Sequence, residues 1–357
     1  MSIDLVGLMA DHDILLTAIG DPIFWSTLLA APLDGQGVHD VEVSPVGTGQ
    51  VASCLRVRLG HDSPAAPRSV VVKTASSDPV SRTTSAMLRH GEIEVGWYRD
   101  LAAAALVTTP HAWAAALNAD GTDFVLVLAD IDDALQGDQI IGMAVADVAR
   151  ALDELAALHA TSWGEVPPGT EPWLVERGDP AAHAVLLTML HQGFVERYGA
   201  RLDPEVMAAA EALIAHAPAY LTDRPGPRAL VHGDFRPDNL LVGRDAVTVV
   251  DWQTVTVGPA FADVAYFLGG ALLPHDRATH EAELLARYRA RLAGHGIDVS
   301  AADLSSGYRR YALDGLVMAI GASQVVGQTE RGDEMFCAMA ERAARHALEA
   351  GSLDMLG

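Results

Sequence analysis

The sequence predicts an α+β chain of two lobes, a small one built on an antiparallel sheet and a larger, mainly helical one. Three observations predict it. Alternating apolar runs of strand length cluster between positions 41 and 128, apolar residues at helical spacing dominate after about position 139, and 357 residues exceed a typical single domain. The boundary falls so that residues 1–130 form an N-terminal lobe with a helical extension, and residues 131–357 form the second lobe. Half of the chain is hydrophobic, enough for both lobes to bury cores.

The first forty residues read as helices, with Pro22, Ile23, Phe24, Trp25, Leu28 and Leu29 as one apolar face covering an edge of the first lobe. VEVSPV from Val41, VASCLRVRL from Val51 and SVVVKT from Ser69 then alternate as three strands. Gly47 and Gly49 lie between the first two, where backbone without Cβ atoms can pass close over phosphates. A plain hairpin turn uses glycines as well. Lys73 ends an apolar strand, where an unpaired ammonium is costly, so it needs an anionic partner. Positions 83–104 read as one helix whose stripe of Met87, Gly91, Glu94, Tyr98, Leu101 and Ala105 includes that partner, Glu94. Glu92 falls on another face with Arg99. Runs at 112–117 and 124–128, turned by Asn118, Asp120 and Gly121, complete the sheet.

In the second lobe, positions 139–161 carry Val145, Val148, Leu152, Leu155 and Leu158 as a strong helical stripe. His159 near its end reads as a packed, hydrogen-bonded core residue. Helices follow near 181–198 and 204–216, after the Pro- and Gly-rich GEVPPGTEP, and again at 281–293, 301–326 and 330–350. Between these sets lies VHGDFRPDNLLVGRDAVTVVD, from Val231 to Asp251, where the chemistry concentrates. Phosphoryl transfer to a hydroxyl needs a carboxylate to take the hydroxyl proton and hard oxygen ligands to hold magnesium against phosphates. Asp234 suits the first task, and Asn239 and Asp251 the second. Short strands at 228–231, 240–242 and 246–250, with Gly243-Arg244-Asp245 as a turn, return Asp251 toward Asn239. His232 braces this loop. Arg236 suits either stabilising charge on a transferred group or pairing with Asp238.

HGDFRPDN followed by VVDWQ resembles the catalytic loop and metal-binding aspartate of the aminoglycoside phosphotransferase and choline kinase-like superfamily. LHATSW upstream, the DWQ form and PAFADVAYFLGG downstream are most similar to its ecdysteroid kinase-like branch. The resemblance covers nearly all of the chain after about residue 40, and it implies a protein-kinase-like fold that uses ATP and Mg2+. By position it implies Asp234 as catalytic base with Arg236 near the transferred group, and Asn239 and Asp251 as magnesium ligands. It further implies that Gly47, Gly49, Ser53, Lys73 paired to Glu94, and Ile131 in the linker bind the nucleotide. Family members usually carry glutamate where Ala129 stands, which bears on linker rigidity. Asp263 is implied as a structural carboxylate that holds the catalytic loop.

With 24 Lys and Arg against 47 Asp and Glu, the formal charge is −23, a surface that repels nucleic acid and anionic membranes. The resemblance implies a small molecule with a hydroxyl as the acceptor, and the charge is compatible with a cationic one. Cys54 and Cys337 are far apart and match no disulfide framework or zinc site. The amino terminus MSIDLVGLMADHD carries acidic residues in place of a basic n-region and no apolar run approaches ~20 residues, which predicts a cytoplasmic protein. Two other readings stay open: an antibiotic phosphotransferase acting on aminoglycosides or macrolides, and a nucleotide-binding pseudokinase with a regulatory role. A protein kinase is disfavoured, because the stretch between Asp251 and Asp263 leaves little room for an activation loop.

Overall fold

The computed structural model describes residues 3–47, 52–164, 173–174 and 178–356. The chain divides into two compact units: Met1–Ala104 with Thr109–Asp132 and Asp251–Thr254, and Ala105–Thr108 with Asp133–Val250 and Val255–Gly357. Among the described residues no helix is long and apolar enough to cross a membrane.

The first unit opens with four short helices, α1 (Leu5–Met9), α2 (His12–Ile19), α3 (Pro22–Leu28) and α4 (Ala30–Leu33). Asp4, Asp11 and Asp21 cap the first three by accepting backbone N–H bonds one turn on. Five antiparallel strands follow: β1 (Asp40–Pro45), β2 (Ala52–Gly60), β3 (Ser69–Ala75), β4 (Ala112–Leu117) and β5 (Phe124–Ala129), in the order β1-β2-β3-β5-β4. The N-terminal helices cover a face of this sheet and not an edge. Trp25, Leu29 and Leu33 pack with Val57, Val70, Val72, Val125 and Val127, the residues that strand alternation sends to one side. Ile23 departs from the expected apolar face and is 73% exposed. It precedes Trp25 by two positions, about 200° around a helix.

The helix expected over 83–104 is broken into α5 (Pro79–Met87), α6 (His90–Gly96) and a π-helical turn, Trp97–Leu101. Arg89 takes a left-handed backbone, φ 60°, between the first two. This break resets the helical phase, so Met87 drops out of the predicted stripe and is 79% exposed, while Gly91, Glu94 and Tyr98 stay buried. Gly91 is needed for contact: a Cβ there would come within 2.5 Å of the Phe124 ring on β5.

The second unit holds β6 (Leu135–Gln136), α7 (Val145–Ala160), α8 (Pro180–Tyr198), α9 (Pro204–Ala215), α10 (Ala217–Thr222), β7 (Arg228–Val231), β8 (Leu240–Val242), β9 (Val247–Val249) and β10 (Thr256–Pro259). It ends with α11 (Ala260–Ala271), α12 (Pro274–Gly294), α13 (Ala301–Arg310), α14 (Asp314–Val325) and α15 (Glu330–Glu349). The helix expected from Gln139 begins only at Val145. Asp138 instead closes a turn by accepting from the N–H groups of Ile140 and Ile141, and Gly142 follows with φ 84°. The stretch expected as one helix over 301–326 is two, parted at Tyr311 to Leu313. β6, β8 and β9 form one small sheet and β7 with β10 another. The core is helical, with Leu213, Tyr220, Leu316, Ile320, Ala340 and Ala344 fully or almost fully buried.

His346 on α15 is fully buried, and neither ring nitrogen has a hydrogen-bond partner among the described residues. Burial, with the Arg277 guanidinium nearby, holds its pKa well below 6.5, although Glu281 Oε2 stands 3.9 Å from Nε2. The folded protein therefore keeps the ring neutral while the unfolded chain protonates it near pH ~6.5. Above that pH the group has no effect on stability, and below it stability falls by up to about 1.4 kcal/mol per pH unit. Denaturant midpoints measured at pH 7 and pH 5 should drop further for the wild type than for His346→Phe. Equal drops would assign the acid sensitivity elsewhere.

Candidate active site

In the first unit, β3 sends Val70 and Val72 toward the N-terminal helices and Lys73 to the opposite face, which α6 covers. Lys73 Nζ lies 2.6 Å from Glu94 Oε2 and 2.9 Å from Asp251 Oδ1. Burial alone would favour the neutral amine, but Asp251 and Glu94 outweigh it and hold the Lys73 pKa well above its ordinary value. The same burial pushes the Glu94 carboxyl up to about 7, with Lys73 opposing. Two carboxylates thus share one ammonium, and with both ionised the group carries a net charge of −1 that favours an additional cation.

Aromatic packing fixes this trio. Trp97, one turn after Glu94, stacks on Trp252, the residue after Asp251, with ring centroids 3.7 Å apart and planes 11° from parallel. Trp252 Nε1 donates to Thr109 Oγ1 at 2.9 Å, and its backbone N–H bonds to Glu94. Asp251 itself has a left-handed backbone, φ 65°.

The other expected nucleotide residues are placed as follows. Gly47 has φ 79°, and a Cβ there would meet nothing within 4 Å. Gly49 lies outside the described residues. Ser53 pairs in register with Thr74, and Cys54 with Lys73. Alternation therefore puts Cys54 beside Lys73 and turns Ser53 to the other face. Burial pushes the Cys54 thiol up to about 11, so it is a neutral neighbour and not a nucleophile. Ile131 follows β5 in a segment held by Asp130, whose carboxylate takes Arg56 Nε at 2.8 Å and Ser69 Oγ at 2.8 Å. These bonds stiffen the segment despite the alanine at 129, and nothing in the sequence singled out Asp130 for this.

In the second unit, the loop from His232 to Asn239 hangs between β7 and β8. Asp263, on the first turn of α11, accepts from the N–H of His232 at 2.6 Å and of Gly233 at 3.1 Å. Burial would raise its pKa, but His159 and the His232 contacts more than reverse that and hold it below the usual carboxylate range. His159 Nε2 approaches Asp263 Oδ2 to 3.6 Å, too far for a hydrogen bond. Its Nδ1 is within 2.7 Å of the Tyr288 hydroxyl, the packed role expected of it. His232 Nδ1 lies 3.3 Å from the Asp234 backbone N and its Nε2 lies 3.1 Å from the Val250 carbonyl oxygen, so the ring braces the loop at both ends. The hairpin of β8 and β9 returns Val250 to Asn239, N–H to O at 3.0 Å. Asp251 is the next residue along the chain.

The Asp234 carboxylate has three donors: Arg236 Nε at 3.2 Å and Asn239 Nδ2 at 3.0 Å on Oδ2, and the Tyr266 hydroxyl at 2.8 Å on Oδ1. Arg236 also binds Asp238 at 2.5 Å, the pairing that is one of the two alternatives open from sequence. Asn239 spends its second N–H on the Asp234 carbonyl at 2.8 Å. Its amide oxygen is then the side-chain atom left to ligate a hard cation. Among the described residues no group of three or more His, Cys, Asp or Glu is arranged for a metal. A magnesium ion that keeps waters and shares phosphate oxygens does not need one. The Asn239 amide oxygen in the second unit and the Asp251 carboxylate in the first are each a hard oxygen donor of the kind such an ion takes.

Comparison with known proteins places this geometry in a family context. The model of the family described as APH, phosphotransferase enzyme family, matches residues 51–309. The fold is similar to that of a choline kinase from Cryptosporidium parvum Iowa II, at TM-score 0.60 and 11% identity, over 96% of this chain and 95% of that one. An ethanolamine kinase from Plasmodium vivax matches at TM-score 0.51 and 11% identity, over 93% of this chain and 89% of that one. In sequence, 69 residues are 44% identical to a stretch of mouse acyl-CoA dehydrogenase family member 10. That stretch is 18% of this chain and only 6% of the mouse protein's length.

Proposed function

We propose that this chain, which belongs to the phosphotransferase enzyme family, is a small-molecule phosphotransferase that moves the γ-phosphoryl group of ATP to an acceptor hydroxyl with Asp234 as the base. As the acceptor oxygen bonds to the γ-phosphorus, the bond from that phosphorus to its bridging oxygen breaks and ADP leaves with the electron pair. The acceptor proton passes to Asp234 and then to solvent. Lys73, held by Glu94, orients the phosphates. Gly47, Gly49 and Ser53 bind the phosphates, and the segment at Ile131 offers backbone groups to the adenine. Arg236 binds Oδ2 of Asp234. Asp251 and the Asn239 amide oxygen are the residues that would hold magnesium, which would supply charge neutralisation at the phosphates.

The observation that carries this reading is the buried lysine between two carboxylates. An ammonium at the end of an apolar strand, with one carboxylate more than it needs, suits the joint binding of a polyanion and a divalent cation better than it suits a structural ion pair. The test is acceptor-dependent loss of ATP over amino sugars, macrolides, sterols, choline-like amines and short alcohols, with Asp234→Asn as the blank. A hit that disappears in the blank is the expected outcome. Bound Mg-ATP with no turnover by any of these, or by water, would favour a regulatory nucleotide-binding role instead.

Asp251→Asn tests the metal. Asparagine tolerates the left-handed backbone at this position, so the fold should persist while magnesium-dependent nucleotide binding weakens by about tenfold or more. A nucleotide affinity with unchanged magnesium dependence would remove Asp251 as a ligand.

A further inference from the structure

We infer that Tyr266 is a positioning residue for the proton transfer: its hydroxyl, held on α11, fixes the Asp234 carboxylate so that one lone pair of Oδ1 faces the incoming hydroxyl. The inference rests on Asp234 being the base. A carboxylate offers about four lone-pair positions. Arg236 and Asn239 occupy the two on Oδ2, and Tyr266 occupies one on Oδ1. The position that remains is on the oxygen Tyr266 touches.

The helix explains why this residue does it. Tyr266 follows Asp263 by three positions, so both project from the same face of α11 one turn apart. Asp263 holds the loop backbone at His232 and Gly233, and Tyr266 holds the side chain of the next residue. Almost every position of α11 is buried, and Phe267 packs edge-on against Phe235 at 5.0 Å, so the helix cannot shift without opening the core. Burial and the neighbouring Asp234 push the Tyr266 phenol well above its ordinary pKa. It therefore stays protonated, donates throughout the working range and does not compete as a base. Two donors on Oδ2 alone would leave the carboxylate free to tilt about them. Tyr266 removes that freedom before the acceptor arrives, which is where orientation lowers a barrier.

The experiment measures Mg-ATP turnover, with water and the alcohol panel as acceptors, for wild type, Tyr266→Phe, Asp234→Asn and the double variant. Tyr308→Phe is the structural control, since Tyr308 is a buried tyrosine on another carboxylate, Glu281, at 2.6 Å. Tyr266→Phe should lower kcat by about 10- to 100-fold and leave the KM for Mg-ATP within about twofold. In the Asp234→Asn background it should cost nothing further, because the group it positions is gone. Tyr308→Phe should leave kcat unchanged. Equal losses from Tyr266→Phe in both backgrounds, or a kcat within twofold of wild type, would overturn the inference while leaving the kinase reading intact. A wild type that binds Mg-ATP and transfers to nothing, water included, would overturn both.

Discussion

Asp234→Asn is expected to lose about 10²- to 10⁴-fold in turnover, the range that a positioned general base contributes, while Mg-ATP binding stays close to wild type. The asparagine can still accept from Tyr266 or Arg236, and Arg236 keeps its bond to Asp238 at 2.5 Å, so the loop should hold its shape. What disappears is the acceptor for the hydroxyl proton. Single-turnover kinetics beside nucleotide titration separate the two effects. A variant that retained most of its turnover would mean that the proton leaves by another route, and the base assignment would have to be given up.

Asp263→Ala should have the largest effect on stability among the substitutions considered, roughly 3 kcal/mol or more. Its carboxylate is buried and is the acceptor for two consecutive backbone N–H groups, at His232 and Gly233. Removing it leaves both donors in the core, where water cannot replace the lost partner. Gly233 adopts φ 78° at this turn, a conformation the carboxylate helps to hold. Turnover measured well below the melting temperature should fall as well, because the next residue is Asp234. Asp263→Asn keeps one acceptor oxygen but brings an N–H₂ toward a second donor, so it should fall between wild type and alanine. Melting curves and low-temperature turnover check the series. An alanine variant that melts and turns over like wild type would show that the loop is held by other contacts.

Much of this arrangement is legible in the sequence, for a physical reason. Asp234 and Asn239 are legible from the spacing of HGDFRPDN, and Lys73, Glu94 and Asp251 are ionisable residues set in or at the end of apolar runs, where each requires a partner that narrows the chemistry. Asp263 is legible on the same ground. Tyr266 is not, because an aromatic residue at helical spacing in PAFADVAYFL satisfies a core without any need for its hydroxyl. Asp130 hides in ADID for the opposite reason: a carboxylate in a loop needs no partner, so its bonds to Arg56 and Ser69 leave no trace. The helix break at Arg89 is equally silent, since arginine is not a residue that announces a left-handed turn. The delayed start of α7 had a signal in Gly142, which the long apolar stripe beyond it outweighed. That the N-terminal helices lie on a face of the sheet depends on which side of each strand they meet, and strand alternation marks two sides without saying which one is covered.

The left-handed backbone at Asp251 has a consequence for descent. Most side chains are strained there, but asparagine and glycine are tolerated, and each is a single base substitution away from an aspartate codon. Among all the ways this position can drift, the easiest ones to inherit keep the turn and discard the carboxylate. A lineage can therefore lose the carboxylate at position 251 in one step while keeping the backbone turn that carries it.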